Sequence, residues 1–333
     1  MDNCTLNYYW YTQKKPLWYL LPISYLYLLL VKLRQYYYRF FFKIKKISVP
    51  VVIIGNITVG GTGKTPLVIY LSTLLKEAGF KPGIISRGYK GKHQSPTIVE
   101  ETSDPLLVGD EALLIKQKTK CPMVVGKNRS AAAKKLVDEY PIDIILSDDG
   151  LQHYALARDL EIAVIDSTRQ FGNGAYLPVG PLREPVSRLK TVDFVIVNNG
   201  TNLSLTPYSL SYLPNSLFQI NNPENTLKWE DLKGKTVHAV AGIGNTDRFF
   251  SLLIEQGLTI IPHPYPDHHF FQAKDIEFSD DNYVIMTEKD AVKCCFLSND
   301  RHFALAIDAS VSKDFEKAFL TRLRGLIHGQ KIT

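Results

Sequence analysis

The chain has 333 residues, room for about two domains, and its 45% hydrophobic and 22% charged residues are those of a globular protein. That composition excludes a disordered chain, a collagen-like repeat and a multi-span membrane protein. Lys and Arg (39) exceed Asp and Glu (33) by six, but residues 1–50 alone hold eight basic residues against Asp2, a net of +7, which leaves −1 on residues 51–333. A nucleic-acid binder spreads basic residues over its folded surface, so no nucleic-acid partner is expected. Nothing implies an obligate protein partner either. The four cysteines, Cys4, Cys121, Cys294 and Cys295, form no CxxC pair, which argues against a disulfide framework or a zinc site and suits a reducing compartment.

Residues 1–46 stand apart. Leu17 to Val31 is a run of fifteen uncharged residues broken by Pro22. As a helix it spans about 22 Å, short of a hydrocarbon core of about 30 Å. Trp10, Trp18, Tyr19, Tyr25, Tyr27 and Tyr36 to Tyr38 are residue types that settle at headgroup level, and the cations from Lys32 to Lys46 suit anionic lipid. No small-residue cleavage site follows, so a signal peptide fits poorly. The segment reads as a membrane-associated helix on the cytoplasmic face. Whether it spans or lies flat stays open, and the alternative is an aromatic helix packed on the protein's own core.

From residue 47 onward, β-branched runs alternate with helical stretches. Strands are expected at 50–56, 81–86, 142–150, 160–167 and 192–199, with a helix at 65–79. Continuous apolar strands separated by helices predict a parallel sheet covered on both faces, an α/β/α sandwich over residues 47–200. Residues 201–225, rich in Asn, Ser and Pro, read as a linker or ribbon. Residues 226–333 repeat the pattern as a second, smaller α/β domain, with strands at 236–242, 283–287 and 303–308 and a helix at 246–257. A final helix carries a stripe of Phe315, Phe319, Leu320, Leu323, Leu326 and Ile327.

Between the first strand and first helix lies Thr58-Val59-Gly60-Gly61-Thr62-Gly63-Lys64-Thr65, a Walker A loop with Thr58 in place of its first glycine. The glycines let main-chain amides approach phosphate oxygens, and the helix N-terminus adds its dipole. Lys64 then reaches the β and γ phosphates of ATP, and the Thr65 hydroxyl ligates Mg²⁺. Asp148 and Asp149 end a buried apolar strand, where a Walker B carboxylate holds the metal directly or through water; alone, the pair is also compatible with a plain turn. Together these features predict a P-loop NTPase-type fold and a triphosphatase or kinase.

Further motifs occur in order: GN-x-TVGGTGKTP (55–66), SRGY (86–89), VGDE (108–111), DDGLQH (148–153), FGNG (171–174), LPVGPLREP (177–185), AGIGN with DRFF (241–250), PDHH (266–269) and TEKDAVK (287–293). In these the chain resembles the tetraacyldisaccharide 4′-kinase family of lipid A biosynthesis, from about residue 16 to residue 293. LPVGPLREP and the Thr-for-Gly phosphate loop are its specific parts.

The resemblance implies transfer of the γ-phosphate of ATP to the 4′-hydroxyl of an acylated glucosamine disaccharide 1-phosphate, a lipid of the inner membrane. It assigns proton acceptance to Asp110, in a dyad with His268, which requires the second domain to close over the first. His268 either orients the carboxylate as an imidazolium or, neutral, shares the proton. On their own, Asp110 also reads as a helix N-terminal charge and His268 as a surface histidine. Carried over with them are Glu184 as an aid to Mg²⁺ and Asn173 as a substrate-positioning residue. Arg87, Lys127 and Arg129 are candidates for the substrate's phosphate, because a guanidinium grips phosphate bidentately; as lone residues they also read as ordinary surface cations. TEKD (287–290) supports the closed site, with no defined role for Glu288 or Lys289.

The main rival is a membrane-recruited ATPase switch of the partitioning type, which shares the VGGTGKT look. That class carries a lysine just before the paired glycines, where this chain has Val59. A guanine-nucleotide switch needs an NKxD-type base reader, and neither VNNG (197–200) nor TEKD matches it.

Overall fold

A computed structural model describes residues 8–13, 18–42, 44, 46–198, 200 and 205–330. Cys4, Lys14, Lys15, Leu17, Lys43, Lys45 and the first residues of the expected linker, 201–204, lie outside the described residues. Among the described residues, thirteen strands form one mixed sheet: β1 (Val51–Gly55), β2 (Pro82–Ser86), β3 (Thr97–Ile98), β4 (Met123–Val125), β5 (Ile144–Ser147), β6 (Leu160–Asp166), β7 (Phe194–Asn198), β8 (Ser209–Gln219), β9 (Thr226–Leu227), β10 (Thr236–Ala241), β11 (Thr259–Pro264), β12 (Tyr283–Thr287) and β13 (His302–Val311). Their order is β11-β10-β12-β13-β8-β7-β6-β1-β5-β2-β4-β3, with β9 beside β8. The helices that shape the site are α1 (Leu21–Phe40), α2 (Lys64–Glu77), α3 (Asp110–Thr119), α4 (Arg129–Glu139), α5 (Thr246–Glu255), α6 (Glu288–Cys294) and α7 (Lys313–Gln330).

In a strand alternate side chains face opposite ways, so an all-apolar strand is buried on both faces. In β1, Val52 and Ile54 join a core under α2, α3 and α7, while Val51 and Ile53 join a second core under α4. The other end of the sheet has its own two cores. Val237, Ala239 and Ala241 pack with Phe249, Phe250 and Leu253 of α5, and Val240, Val284 and Met286 pack with Phe271. The stripe read on the last helix is real, but Phe315, Phe319 and Leu323 cross back to the core of the first half, with Phe315 ring-to-ring with Phe194 at 5.4 Å.

The register explains how the halves meet. Strands β2, β4, β5, β1, β6 and β7 are parallel, and β8 joins β7 only at its C-terminal end, through Val197↔Ser209 and Asn198↔Leu210. β8 then runs on beyond that edge, antiparallel to β13, to Gln219↔Phe303. Because β13, β12 and β10 are mutually parallel, they point back toward the first half. The C-terminal strand ends of both halves therefore face each other, and ligand sites in such sheets form outside those ends. The expected linker thus contains the strand that carries the second half.

Helix α1 lies along the outside. No helix of the described residues is long and apolar enough to cross a membrane. Its inner side is tied down by polar contacts: Ser24 Oγ donates to the Tyr176 carbonyl (2.8 Å), Tyr27 Oη to the Arg183 carbonyl (3.2 Å) and Gln35 Nε2 to Tyr154 Oη (2.6 Å). Its outer side exposes Ile23, Leu26, Leu30, Leu33 and Tyr37, each by more than half. Two of the aromatics expected at headgroup level turn inward instead. Trp10 is buried with its indole N–H on the Pro178 carbonyl (3.2 Å), and Tyr27 is held as above.

Candidate active site

The phosphate loop leaves β1 and enters α2. Val59 N–H donates to the Pro181 carbonyl (2.8 Å) and Arg183 N–H to the Ile57 carbonyl (2.8 Å), so LPVGPLREP forms the wall behind the loop. Asn198 Nδ2, at the end of β7, donates to the Thr62 carbonyl (3.0 Å) and to Tyr212 Oη (2.9 Å) of β8. Gly63 sits at φ +94°, and a Cβ there would lie 2.2 Å from Tyr212 Oη and 2.6 Å from Asn198 Nδ2. Only glycine fits.

Asp148 and Asp149 follow β5, beside the loop. Lys64 Nζ is 3.6 Å from Asp149 Oδ1, and Arg183 Nη1 is 3.2 Å from both Asp149 carboxylate oxygens. Burial resists ionisation of Asp149, but Lys64 and Arg183 overcome it and hold the carboxyl well below the usual range. At Asp148 burial dominates and pushes it up to about 7, with Glu111 and Asp149 adding to the rise. Asp148 Oδ2 accepts from Ser86 Oγ (3.3 Å), whereas Oδ1 is buried without a hydrogen-bond partner among the described residues, as is Thr62 Oγ1.

Mg²⁺ fits this donor set. It takes one or two carboxylates with the nucleotide's phosphates and water rather than a protein cage. No group of three His, Cys, Asp or Glu side chains gathers as a cage among the described residues.

Across the cleft, the PDHH turn after β11 brings His268 onto Asp110, the first residue of α3. His268 Nδ1 lies 3.0 Å and 2.8 Å from the two Asp110 carboxylate oxygens, 158 residues away in sequence. Burial opposes ionisation of Asp110, but the His268 hydrogen bond and the charges of Lys289 and Lys293 outweigh it, leaving its pKa lowered. Lys289 Nζ reaches Glu111 Oε1 (2.9 Å), Asp267 Oδ1 (3.1 Å) and His268 Nε2 (3.3 Å). Glu288, its neighbour, pairs with Lys118 Nζ at 2.5 Å and accepts from Ile307 N–H. TEKD therefore fastens α6 to α3 across the cleft. Beside the dyad, Arg87, Tyr89, Lys90 and Lys127 line a cavity of about 270 Å³, with the Tyr89 and His268 rings 5.2 Å apart.

Three expected residues are engaged elsewhere. Arg129 is buried, and its guanidinium donates to the carbonyls of Asp148 (3.0 Å), Asp149 (3.2 Å) and Gly126 (3.4 Å). It shapes the aspartate turn rather than standing in the cleft. Asn173 spends its amide on the Val179 carbonyl (2.9 Å) and the Ala175 N–H (3.1 Å), bracing the 171–182 loop. Glu184 is fully buried against Tyr154 and Arg188, and burial lifts it to about 7. Residues the sequence did not single out are Arg183, Asn198, Tyr212, Lys293 and Tyr11. Arg183 stands next to Glu184 in LREP and Lys293 pairs with Asp290 within TEKDAVK, so both had a signal; Asn198, Tyr212 and Tyr11 act through residues of other elements.

A glycine-rich loop opening a helix, with a lysine paired to one of two aspartates that end the adjacent strand, is an arrangement suited to binding phosphate. The sequence profile of the Tetraacyldisaccharide-1-P 4′-kinase family matches residues 16–324, and the chain belongs to that family. The Tetraacyldisaccharide 4′-kinase of Coxiella burnetii (strain RSA 331 / Henzerling II) is 48% identical over 322 residues, covering 96% of this chain and 95% of that protein. The enzyme of the same name from Methylobacillus flagellatus is 47% identical, covering 92% of each. The crystal structure of the "apo" form of LpxK from Aquifex aeolicus in complex with ATP superimposes with a TM-score of 0.78 at 28% identity, covering 91% of this chain and 98% of that one. The protein is thus an ATP-dependent lipid A kinase, and the partitioning-switch reading is set aside.

Proposed function

We propose that the protein transfers the γ-phosphoryl group of ATP in line to the 4′-hydroxyl of an acylated glucosamine disaccharide 1-phosphate, with Asp110 as proton acceptor. The observation that supports this most is the bifurcated contact of His268 Nδ1 with both carboxylate oxygens of a buried Asp110, in the same site region as Lys64 and Asp149. A sugar hydroxyl attacks poorly until its proton has somewhere to go. Asp110 is ionised and takes that proton on a carboxylate oxygen, while His268 fixes the carboxylate's direction and Lys289 holds the imidazole from behind. Lys64 neutralises charge on the transferring phosphoryl group, and the loop amides grip the rest of the triphosphate. The Thr65 hydroxyl and the Asp148 carboxylate would hold Mg²⁺, which would supply charge neutralisation on the phosphates. Arg87 and Lys127 receive the substrate's own phosphate in the cavity beside the dyad.

The lipid reaches the cleft from the cytoplasmic face of the inner membrane. Helix α1 lies flat there on its exposed Leu and Tyr face, with Lys32, Arg34 and Lys46 near the headgroups. The two halves of the sheet act as domains that close on the two substrates. The test is to incubate the full-length protein in detergent with γ-labelled ATP, Mg²⁺ and the disaccharide 1-phosphate. A bisphosphorylated lipid with the label at the 4′ position is expected. Label released only as inorganic phosphate contradicts the proposal.

A further inference from the structure

The reading of residues 58–65 as a phosphate grip leaves one question of geometry. Gly60 is at φ +111° and Gly61 has open space where a side chain would be, so neither residue resists rotation of the peptides around it. A peptide that flips turns its N–H away from the phosphate. The peptide before Val59 is fixed by its N–H on the Pro181 carbonyl (2.8 Å). The next peptide, Val59–Gly60, is fixed by a residue from outside the nucleotide-binding half: Tyr11 Oη donates to the Val59 carbonyl at 2.7 Å. In a trans peptide the C=O and N–H point in opposite directions, so holding this carbonyl from one side aims the Gly60 N–H to the other.

Tyr11 is itself held. It belongs to a helical turn, Tyr8–Gln13, anchored by Trp10 on the Pro178 carbonyl. The Arg169 guanidinium lies 5.2 Å over the Tyr11 ring and donates to the Gly244 carbonyl (3.2 Å) of the opposite half. Burial pushes the Tyr11 phenol up to about 12, against Arg169, so it stays a neutral donor at working pH.

We infer that Tyr11 is a positioning residue for the nucleotide: its hydroxyl locks the Val59–Gly60 peptide so that the Gly60 amide faces the triphosphate, and the N-terminal segment thereby sets ATP affinity. This rests on the phosphate-loop reading above. The test compares wild type, Tyr11→Phe and Lys64→Ala, each as the full chain in detergent. Tyr11→Phe keeps the ring under Arg169 and removes only the hydroxyl. Loss of one hydrogen bond to a main-chain carbonyl corresponds to about a three- to tenfold effect. The expected result is a KM for ATP, and a Kd for a fluorescent ATP analogue without lipid, raised by about that factor, with the lipid KM and the unfolding temperature unchanged. If Lys64→Ala is inactive and Tyr11→Phe binds ATP like wild type, the inference is overturned and the loop reading stands. A Tyr11→Phe protein with a lower unfolding temperature and both KM values raised also overturns it, because Tyr11 is then structural. An active Lys64→Ala overturns the loop reading and the inference together.

Discussion

Asp148 and Asp149 are adjacent yet hold their protons with opposite strength, and the difference is environmental. Asp149 faces Lys64 and Arg183, whereas Asp148 is buried, with one oxygen lacking a hydrogen-bond partner among the described residues. Lys64 pairs with Asp149 of that turn, and in the proposed mechanism it turns to the phosphates. Lys64→Ala should therefore lower kcat by about two to three orders of magnitude or more; near-normal turnover contradicts the loop assignment. At Asp110 the native carboxyl releases its proton more readily than in the unfolded chain, whose ordinary value is 3.8. Its pairing with His268 thus stabilises the fold above that value and is lost as acid titrates the folded carboxyl below it. The stability difference between wild type and Asp110→Asn, from urea unfolding, should be flat above about pH 5 and shrink below about pH 4. A difference that grows with acid contradicts the ionised pair.

Lys64 and Asp148 were legible in the glycine-rich loop and the acidic strand end themselves. The pairing of Asp110 with His268 was expected only through the family resemblance, because the two are 158 positions apart and nothing local says that they touch. Tyr11 was hidden for the same reason, inside a segment whose aromatic composition pointed to lipid.

Among the elements, helix α1 carries most of the difference between expectation and structure. Its composition announced a lipid-facing helix, and its outer stripe is exposed apolar surface. The inner stripe, Ser24, Tyr27 and Gln35, is a docking face for the loop that ends in LREP, and a hydropathy pattern cannot say that such residues have partners. Replacing Leu26, Leu30 and Leu33 together with Lys should move much of the protein from the membrane to the soluble fraction while leaving ATP binding intact. Retention on membranes would assign docking to another surface.

Strand β8 read as a linker because of its polar residues and Pro214. The structure seats Pro214 next to a register shift between Leu305 and Ile307, where a ladder tolerates proline. Strand β11, Thr259–Pro264, includes two prolines and survives at the sheet edge for a similar reason.

In the whole molecule, the alternation of apolar strands and helices was sufficient to predict a mixed α/β fold. It did not predict that one continuous sheet runs through the regions read as two domains, or that α7 returns to the first half. Those facts depend on pairings between distant strands. Phe315, fully buried against Phe194, Tyr208 and Phe319, is the principal rivet of that return. Phe315→Ala should cost about 3–5 kcal/mol in urea unfolding of the full chain; a loss under about 1 kcal/mol would mean that the helix is only laid on the surface.

Opposed strand ends bring the glycine-rich loop of one half and a histidine of the other to the same side of the sheet, and the proposed mechanism requires that Asp110 and His268 work as one unit. Single-turnover phosphoryl transfer in wild type, Asp110→Ala, His268→Ala and the double variant measures that unit. The double variant should be scarcely slower than the slower single variant. Losses that multiply in full would show two residues acting independently and would contradict the shared role.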